Sequence, residues 1–244
     1  MLDAKHALEN CGGDMEEAKQ WLRVKGLAGL AKLEGREAEQ GAVSLVMKNG
    51  VVAAVELRCE TDFVAKAPQF VTAVEQLANI LAVEGENALA GQQGTIDELR
   101  SSFRENVSLG RLLRLEAGHG NVIGGYLHTQ AGRGINAVAV ELSGGDEELA
   151  HDIAVHIAFT KPKYISRSDV PAEDVERERE TLFEISRNEG KPESALEKIV
   201  DGRINGFFKD NCLEEQPYVR DEKVTIAKLL DQAKVVRFAQ IVVG

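Results

Sequence analysis

The sequence predicts an α+β fold with a small N-terminal helical module, a core of two related strand-helix subdomains with antiparallel sheets, and an inserted antiparallel helical hairpin. Three observations lead to this prediction. An Asn-Gly pair stands between two β-prone runs, a strand-helix pattern occurs twice, and two long charged helical segments follow the second copy. The predicted segments are an N-terminal module (1–26), a linker (27–41), core subdomains N (42–107) and C (108–165), a helical arm (166–212), and a C-terminal helix and strand (213–244).

The N-terminal module is predicted as a pair of helices. The run "LDAKHALEN" stops at Gly12-Gly13, and Asp14 with Glu17 forms a capping-box pattern that opens a second helix. Two helices of this length cannot enclose a hydrophobic core alone, which indicates an incomplete module. The stretch that follows mixes glycine with charged residues and is predicted as the linker.

The first core subdomain is predicted to open with a β-hairpin whose turn is Asn49-Gly50. A polar loop, "RCETDFVAK", follows the hairpin, and Pro68 suits the first position of the next helix. Thr95 with Glu98 predicts a capping box for a further helix. Apolar residues at spacings of three and four form one core-facing stripe on the helix after Pro68: Phe70, Ala73, Val74, Leu77, Ile80 and Leu81.

An internal repeat locates the unusual part of this subdomain. The segment "AAVEL" at 53–57 matches "VAVEL" at 138–142 with an offset of 85, whereas the helices that follow align with an offset of 76. The first copy therefore carries nine more residues between strand and helix. These residues lie in the polar loop, while the second copy has the plain connection "SGGDEE". We expect the elaborated connection to carry the function.

The arm is predicted as two antiparallel helices, the first ending at Gly190 and the second reaching about Asp210. Its charged run "EDVERERE" is typical of a solvated helix face, and an interaction surface is the alternative. A last helix near 225–232 and the strand-like "VVRFAQIVV" complete the chain, and this strand is expected to return to a sheet.

Composition argues for a protein partner. Lys and Arg number 29 against 40 Asp and Glu, and the net charge of −11 disfavours nucleic acid and anionic membranes. Aromatic residues make up 5% of the chain, too few for base-stacking platforms. Three scattered cysteines without paired spacing predict neither disulfides nor a zinc site, and no run approaches the roughly 18 apolar residues of a membrane span. We expect a cytoplasmic protein with no cofactor and no metal.

Enzymatic activity is a weaker hypothesis. Cys59 and Asp62 share the polar loop, but no motif places a base against the thiol, and a buried structural cysteine is the simpler interpretation. His156 lies in the apolar run "IAVHIAF", which is typical of a core or interface histidine. For Phe63, two alternatives remain open. Its side chain packs under its own loop, or it is presented to a partner.

Several segments resemble one family closely: "CETDFVAK", the N-terminal "MLDAKHAL" and "GGDMEEA", "GKPE" and "EKIVDGR" in the arm, and "RF" in the last strand. Together they resemble bacterial elongation factor Ts, the guanine-nucleotide exchange factor of elongation factor Tu. The resemblance covers nearly the whole chain. It implies a UBA-like N-terminal module, a core of two related subdomains, and a coiled-coil arm. It also implies that a further helix precedes Met1 in the family's module.

The resemblance implies that the chain binds elongation factor Tu, either GDP-bound or nucleotide-free. In that family the motif matched by Thr61, Asp62, Phe63 and Val64 enters the nucleotide domain of elongation factor Tu and helps to dislodge Mg²⁺. Leu2 and Lys5 resemble N-terminal residues that contact the same domain, and His128 resembles a core contact near the loop. The alternative function is that of a non-catalytic protein–protein adaptor without effect on nucleotide.

Overall fold

The computed structural model describes residues 2–30 and 33–244. Across these residues no helix combines the length and the apolar character needed to cross a lipid bilayer. The same ranges contain no group of three or more His, Cys, Asp and Glu side chains arranged to hold a metal ion.

The N-terminal helices are α1 (Leu2–Asn10) and α2 (Met15–Leu30). The predicted cap forms, because the Asp14 carboxylate accepts hydrogen bonds from the backbone N–H groups of Glu16 and Glu17 at 2.8 and 2.9 Å. Helix α2 extends beyond the predicted module end at residue 26 into the segment predicted as a linker. A glycine inside a helix costs only about 1 kcal/mol, and neighbouring leucine and alanine favour the helix.

The first sheet begins with the predicted hairpin. Strands β1 (Gln40–Lys48) and β2 (Val51–Cys59) pair antiparallel in the register Lys48↔Val51 and Gln40↔Cys59. Asn49 and Gly50 have φ angles of 52° and 75°, the left-handed backbone that a two-residue turn of this kind requires. The sheet order is β1-β2-β3, in which β3 spans Ser108–Glu116.

The helices of this half cover the sheet. They are α3 (Asp62–Ala65), α4 (Pro68–Glu84), α5 (Glu86–Leu89) and, after a 3₁₀ turn at Ala90–Gln92, α6 (Gln93–Phe103). Pro68 is the first residue of α4, as predicted, and the predicted stripe packs into the core with Ile80 half-buried. The capping box predicted at Thr95 is wrong. The preceding turn runs directly into α6, and Thr95 lies inside the helix, where its hydroxyl donates to Gln92 Oε1 at 3.4 Å.

The second copy repeats this arrangement. Strands β4 (Asn121–Gln130) and β5 (Arg133–Ser143) are followed by α7 (Glu147–Thr160). Helix α7 buries one apolar face against residues of β5 in a second hydrophobic core, which includes Val138, Val140, Leu142, Ala150, Ile153, Ala154 and Ile157. The strand-helix repeat predicted from the sequence is therefore confirmed.

The predicted helical hairpin consists of α8 (Ala172–Asn188) and α9 (Glu193–Asn211). Leu196, Val200 and Ile204 form the buried stripe of α9 at spacings of four. Ion pairs link the two helices of the arm, with 2.7 Å between Arg179 Nη1 and Asp201 Oδ1. These partners lie on antiparallel helices, which is the predicted arrangement of the arm.

The C-terminal region adds a two-stranded ribbon that the sequence did not predict, formed by β6 (Pro217–Tyr218) and β7 (Asp221–Thr225). The predicted last helix is α10 (Ile226–Leu230), and its N-cap Thr225 accepts from Lys228 N at 3.4 Å. The predicted returning strand is β8 (Lys234–Val242), and the second sheet has the order β4-β5-β8.

By its internal contacts the chain divides into two compact units. One comprises Met1–Leu115, Leu127–Ala137 and Ile241–Gly244, and the other comprises Glu116–Tyr126 and Val138–Gln240. The first sheet, apart from Glu116 at the end of β3, lies with α3–α6 in the first unit, and α7 with the helical hairpin lies in the second. The mixture of helices and small antiparallel sheets confirms the predicted α+β class.

Candidate functional site

The elaborated connection between β2 and α4 contains one ordered helical turn, α3, where the sequence predicts a loop. Thr61 has extended backbone angles of −119° and 152° and caps the turn, because its hydroxyl oxygen accepts from Val64 N at 3.4 Å. Lys66 N donates to the Asp62 carbonyl at 3.2 Å and closes the turn. The motif residues Thr61, Asp62, Phe63 and Val64 are thus held together in a defined local structure.

Neighbouring residues of this turn face opposite environments. Val64 is 8% exposed and belongs to the first hydrophobic core, whereas Phe63 is 83% exposed. Val64 and Ala65 form the buried side of the turn, and Phe63 and Lys66, three residues apart and on the same face, form its exposed side. Of the two alternatives for Phe63, packing under its own loop is therefore wrong. A large aromatic ring is presented to solvent on a turn anchored by its neighbour.

The Asp62 carboxylate is held ionised beside the exposed ring. Lys66 Nζ lies 2.5 Å from Asp62 Oδ2, one helical turn further along the chain. This hydrogen bond, together with the positive charges of Lys66 and Arg133, lowers the pKa of Asp62. The turn therefore presents an apolar ring beside an ionised carboxylate that is paired with Lys66.

The base of the turn is bonded to a residue that the sequence analysis did not single out. One carboxylate oxygen of Glu105 accepts from the backbone N–H groups of Glu60 and Thr61 at 3.1 and 3.0 Å. The other oxygen accepts from the Thr61 hydroxyl at 2.6 Å. Glu105 follows the left-handed end of α6 at Arg104. A single carboxylate 44 residues away gives no periodic or motif signal, so nothing in the sequence pattern identifies it.

The predicted secondary contacts lie on other elements. Lys5 is exposed on α1, where its Nζ lies 3.6 Å from Glu9 Oε1. His128 is exposed on β4. Leu2 opens α1, but its side chain lies outside the described part of the chain. The structure brings the four motif residues together, and it places Lys5 and His128 at exposed positions on separate elements.

Cys59 has the environment of a structural cysteine. Its side chain is fully buried at the end of β2, and its thiol donates to the Thr61 carbonyl at 3.2 Å. Burial, and then the nearby charge of Glu105, raise the pKa of Cys59 to about 12. A thiol with this pKa carries almost no thiolate at neutral pH, which argues against a nucleophilic role.

His156 is also structural. It is fully buried in α7, and its Nε2 shares a hydrogen bond of 2.9 Å with Gln216 Oε1. Burial lowers the pKa of His156 despite this hydrogen bond, which keeps the imidazole neutral at physiological pH. The prediction of a core histidine is confirmed.

Comparison with known proteins agrees with the sequence resemblance. Residues 60–244 match the family model described as "Elongation factor TS". Elongation factor Ts of Kineococcus radiotolerans is 41% identical over 96% of this chain and 89% of the relative. The proteins of the same name from Clavibacter michiganensis and Streptomyces griseus are each 43% identical over 100% of this chain and 93% of their own length.

Proposed function

The chain belongs to the elongation factor Ts family, which makes it a translation elongation factor, and from this membership we propose that it is the guanine-nucleotide exchange factor of elongation factor Tu. The turn Thr61–Val64 enters the nucleotide domain of its partner, disturbs the Mg²⁺ held with GDP, and accelerates GDP release. The observation that carries the proposal is the 83% exposure of Phe63 on a turn whose other side is fixed in the core.

Such a factor performs no bond chemistry, so its effect arises from binding one partner state more tightly than another. If it weakens GDP binding by some factor, GDP weakens its own binding by the same factor, because the coupling is reciprocal. An aromatic side chain that becomes buried at the centre of an interface contributes about 2 kcal/mol or more to binding. Phe63 is large and exposed enough to supply such a contribution.

The two neighbouring side chains divide the task. Phe63 acts as an apolar wedge in a slot that is narrower when nucleotide and Mg²⁺ are in place. Asp62 brings a carboxylate that Lys66 holds within the turn. It competes for hydrogen bonds near the metal, and it does so as a carboxylate at neutral pH. Lys5, Leu2 and His128 are assigned secondary contacts with the same partner.

The experiment measures the release of a fluorescent GDP analogue from elongation factor Tu at increasing concentrations of this protein. We expect Phe63→Ala to slow the accelerated release on the order of a hundredfold, which corresponds to about 2.7 kcal/mol. Phe63 is solvent-exposed, so the variant keeps the thermal stability of the parent protein.

Phe159→Ala is the matched control, because Phe159 on α7 is a second highly exposed phenylalanine at 78%. It is expected to leave the release rate unchanged. Undiminished release with Phe63→Ala contradicts the wedge. Binding of elongation factor Tu by the parent protein with no acceleration of release indicates the adaptor function instead.

A further inference from the structure

We infer that Glu105 is a positioning residue that holds the Thr61–Val64 turn in the orientation that presents Phe63. The inference rests on the proposed function, and it assigns the geometry of the site to a side chain outside the motif. The three bonds that Glu105 accepts from Glu60 and Thr61 connect the turn to the segment after α6.

The connection is reciprocal. Glu105 accepts from the backbone of Glu60, and the Glu60 carboxylate accepts from the backbone N–H of Asn106 at 2.6 Å. The segment at the base of the turn and the segment after α6 each supply one carboxylate and one backbone N–H to the other. Arg36 adds a third segment, because its guanidinium lies 3.1 Å from Glu60 and its carbonyl accepts from Asn106 Nδ2 at 2.7 Å. We refer to Glu60, Glu105 and Asn106 as the clasp.

The clasp reaches Phe63 through Thr61. The Thr61 hydroxyl donates to Glu105 at 2.6 Å and accepts from Val64 N at 3.4 Å, so one oxygen links the clasp to the cap of the turn. On the other side of Phe63, Val64 is packed in the first hydrophobic core. Phe63 is therefore held between a hydrogen-bonded anchor and an apolar anchor, and its ring direction depends on both.

The second copy shows that capping alone does not need a distant carboxylate. Asp146 caps α7 with its own side chain, which accepts from Leu149 N at 2.8 Å. In the first copy the cap hydroxyl is itself held by Glu105, 44 residues away in sequence. A long-range bond to a four-residue surface turn fixes the position of the turn, which a local cap does not do.

The test compares Glu105→Ala with Glu98→Ala, an exposed carboxylate on α6 that serves as the matched control. In the free protein, hydrogen exchange of the amides of Glu60, Thr61 and Val64, whose N–H groups are bonded to Glu105 or to the Thr61 hydroxyl, is expected to become faster on the order of tenfold in Glu105→Ala. The amides of β1 and α4 are expected to exchange as in the parent protein. Unchanged exchange at these three amides overturns the inference.

A second experiment measures GDP release from elongation factor Tu. Glu105→Ala is expected to slow release at saturating concentration on the order of tenfold, because a small misplacement of a positioned group costs at least that much. Glu105→Gln retains an acceptor for the backbone N–H groups and is therefore expected to slow GDP release much less than Glu105→Ala does. In a Phe63→Ala background, Glu105→Ala is expected to add little, since both changes act through the same ring.

The outcomes separate the two proposals. If Phe63→Ala slows release and Glu105→Ala does not, the positioning role is wrong and the exchange function stands. If neither variant slows release, the exchange mechanism itself fails. Should Glu105→Ala not fold, Thr61→Val removes the linking hydroxyl without changing the side-chain shape. The inference then requires faster amide hydrogen exchange within residues 60–64 of this variant than of the parent protein.

Discussion

The two strand-helix copies share a buried carboxylate and differ in the connection that follows it. Glu56 and Glu141 occupy the same position of the repeat and are 1% and 2% exposed. Glu56 is bonded by Arg111 of β3, and Glu141 is bonded by Arg237 of β8, the third strand of each sheet. Both copies therefore contain the same strand-helix unit and the same ion pair to the third strand. They differ in the connection, which is longer in the first copy.

The nine additional residues of the first copy are divided between two places. Between the matched strand and the start of the helix, the first copy has residues 58–67 and the second has 143–146. The rest lengthens the start of α4, which begins nine residues before Leu77, whereas α7 begins six residues before the matched Ile153. The insertion therefore built both the turn and the additional helical turn behind it.

The largest expected effect tests the shared scaffold by removing each arginine. Arg111→Met and Arg237→Met each remove a guanidinium that donates to a buried carboxylate, which costs about 3 kcal/mol of unfolding free energy. Arg111→Met is expected to cost more. Arg111 donates two side-chain hydrogen bonds to Glu56, whereas Arg237 donates one to Glu141. Without its arginine, Glu141 keeps bonds of 2.7 Å from both Gly118 N and Asn121 Nδ2. Glu56 keeps the backbone N–H of residue 111 at 3.0 Å and a longer ion pair of 3.6 Å with Arg58.

Denaturant unfolding measures this comparison. Arg187→Met is the control, because Arg187 pairs with exposed Glu184 and Glu193 on the arm and such pairs contribute about 1 kcal/mol or less. Equal losses at Arg111 and Arg237 contradict the ranking. A loss at either position no larger than that of Arg187→Met contradicts the shared role.

A smaller effect is the dependence of stability on pH. Burial alone raises the pKa of Glu56 and of Glu141, but it is outweighed by Arg111 in the first case and by Asn121, Gly118 and Arg237 in the second, so both pKa values are lowered. The unfolded state then binds more protons in acid. The contribution of each carboxylate to the free energy of unfolding is fully present above its unfolded pKa of about 4.3. It is lost as the pH falls through the folded pKa, and the free energy of unfolding then decreases by at most about 1.4 kcal/mol per pH unit for each group.

Unfolding free energies between pH 7 and pH 3 test this dependence. Glu56→Gln and Glu141→Gln are each expected to flatten the acid limb, and the double variant is expected to flatten it further. An acid limb that keeps the slope of the parent protein in the double variant shows that other carboxylates dominate.

The smallest effect separates the two caps. Asp146→Ala removes the local cap of α7 and is expected to cost about 1 kcal/mol of unfolding free energy. Thr61→Ala removes the cap of the four-residue α3 and is expected to cost less, since the turn contributes little to the core beyond Val64 and Ala65. The measurement is thermal unfolding paired with GDP release. Thr61→Ala should slow release, Asp146→Ala should not, and the reverse pattern contradicts the division of roles.

Local signals in the sequence predicted the elements that local chemistry determines. The Asn49-Gly50 turn, the start of α4 at Pro68 and the burial of its stripe follow from turn geometry, proline and helical periodicity. The prediction at Thr95 failed because a capping pattern is ambiguous when another helical segment runs directly into the helix. The end of α2 was misplaced because glycines at the end of a helix were interpreted as a break.

The candidate site was predictable only in part. The repeat offset located the elaborated connection, and the motif identified the residues within it. The exposure of Phe63 depends on which side of one helical turn enters the core, which no short-range pattern decides. Glu105 and Arg111 act across 44 and 55 residues, and such pairings are set by the sheet and helix arrangement rather than by sequence spacing.

The position of β8 in the sheet has a consequence for the order of folding. The guanidinium of Arg237 reaches Glu141 across 96 residues of chain, and β8 supplies the third strand beside β5. During synthesis, β5 and α7 emerge first, and β5 lacks its third-strand neighbour and Glu141 lacks its arginine until β8 (Lys234–Val242) has been added. The second sheet can be completed only after residue 242 has been synthesised, whereas the strands of the first sheet are all available by residue 116.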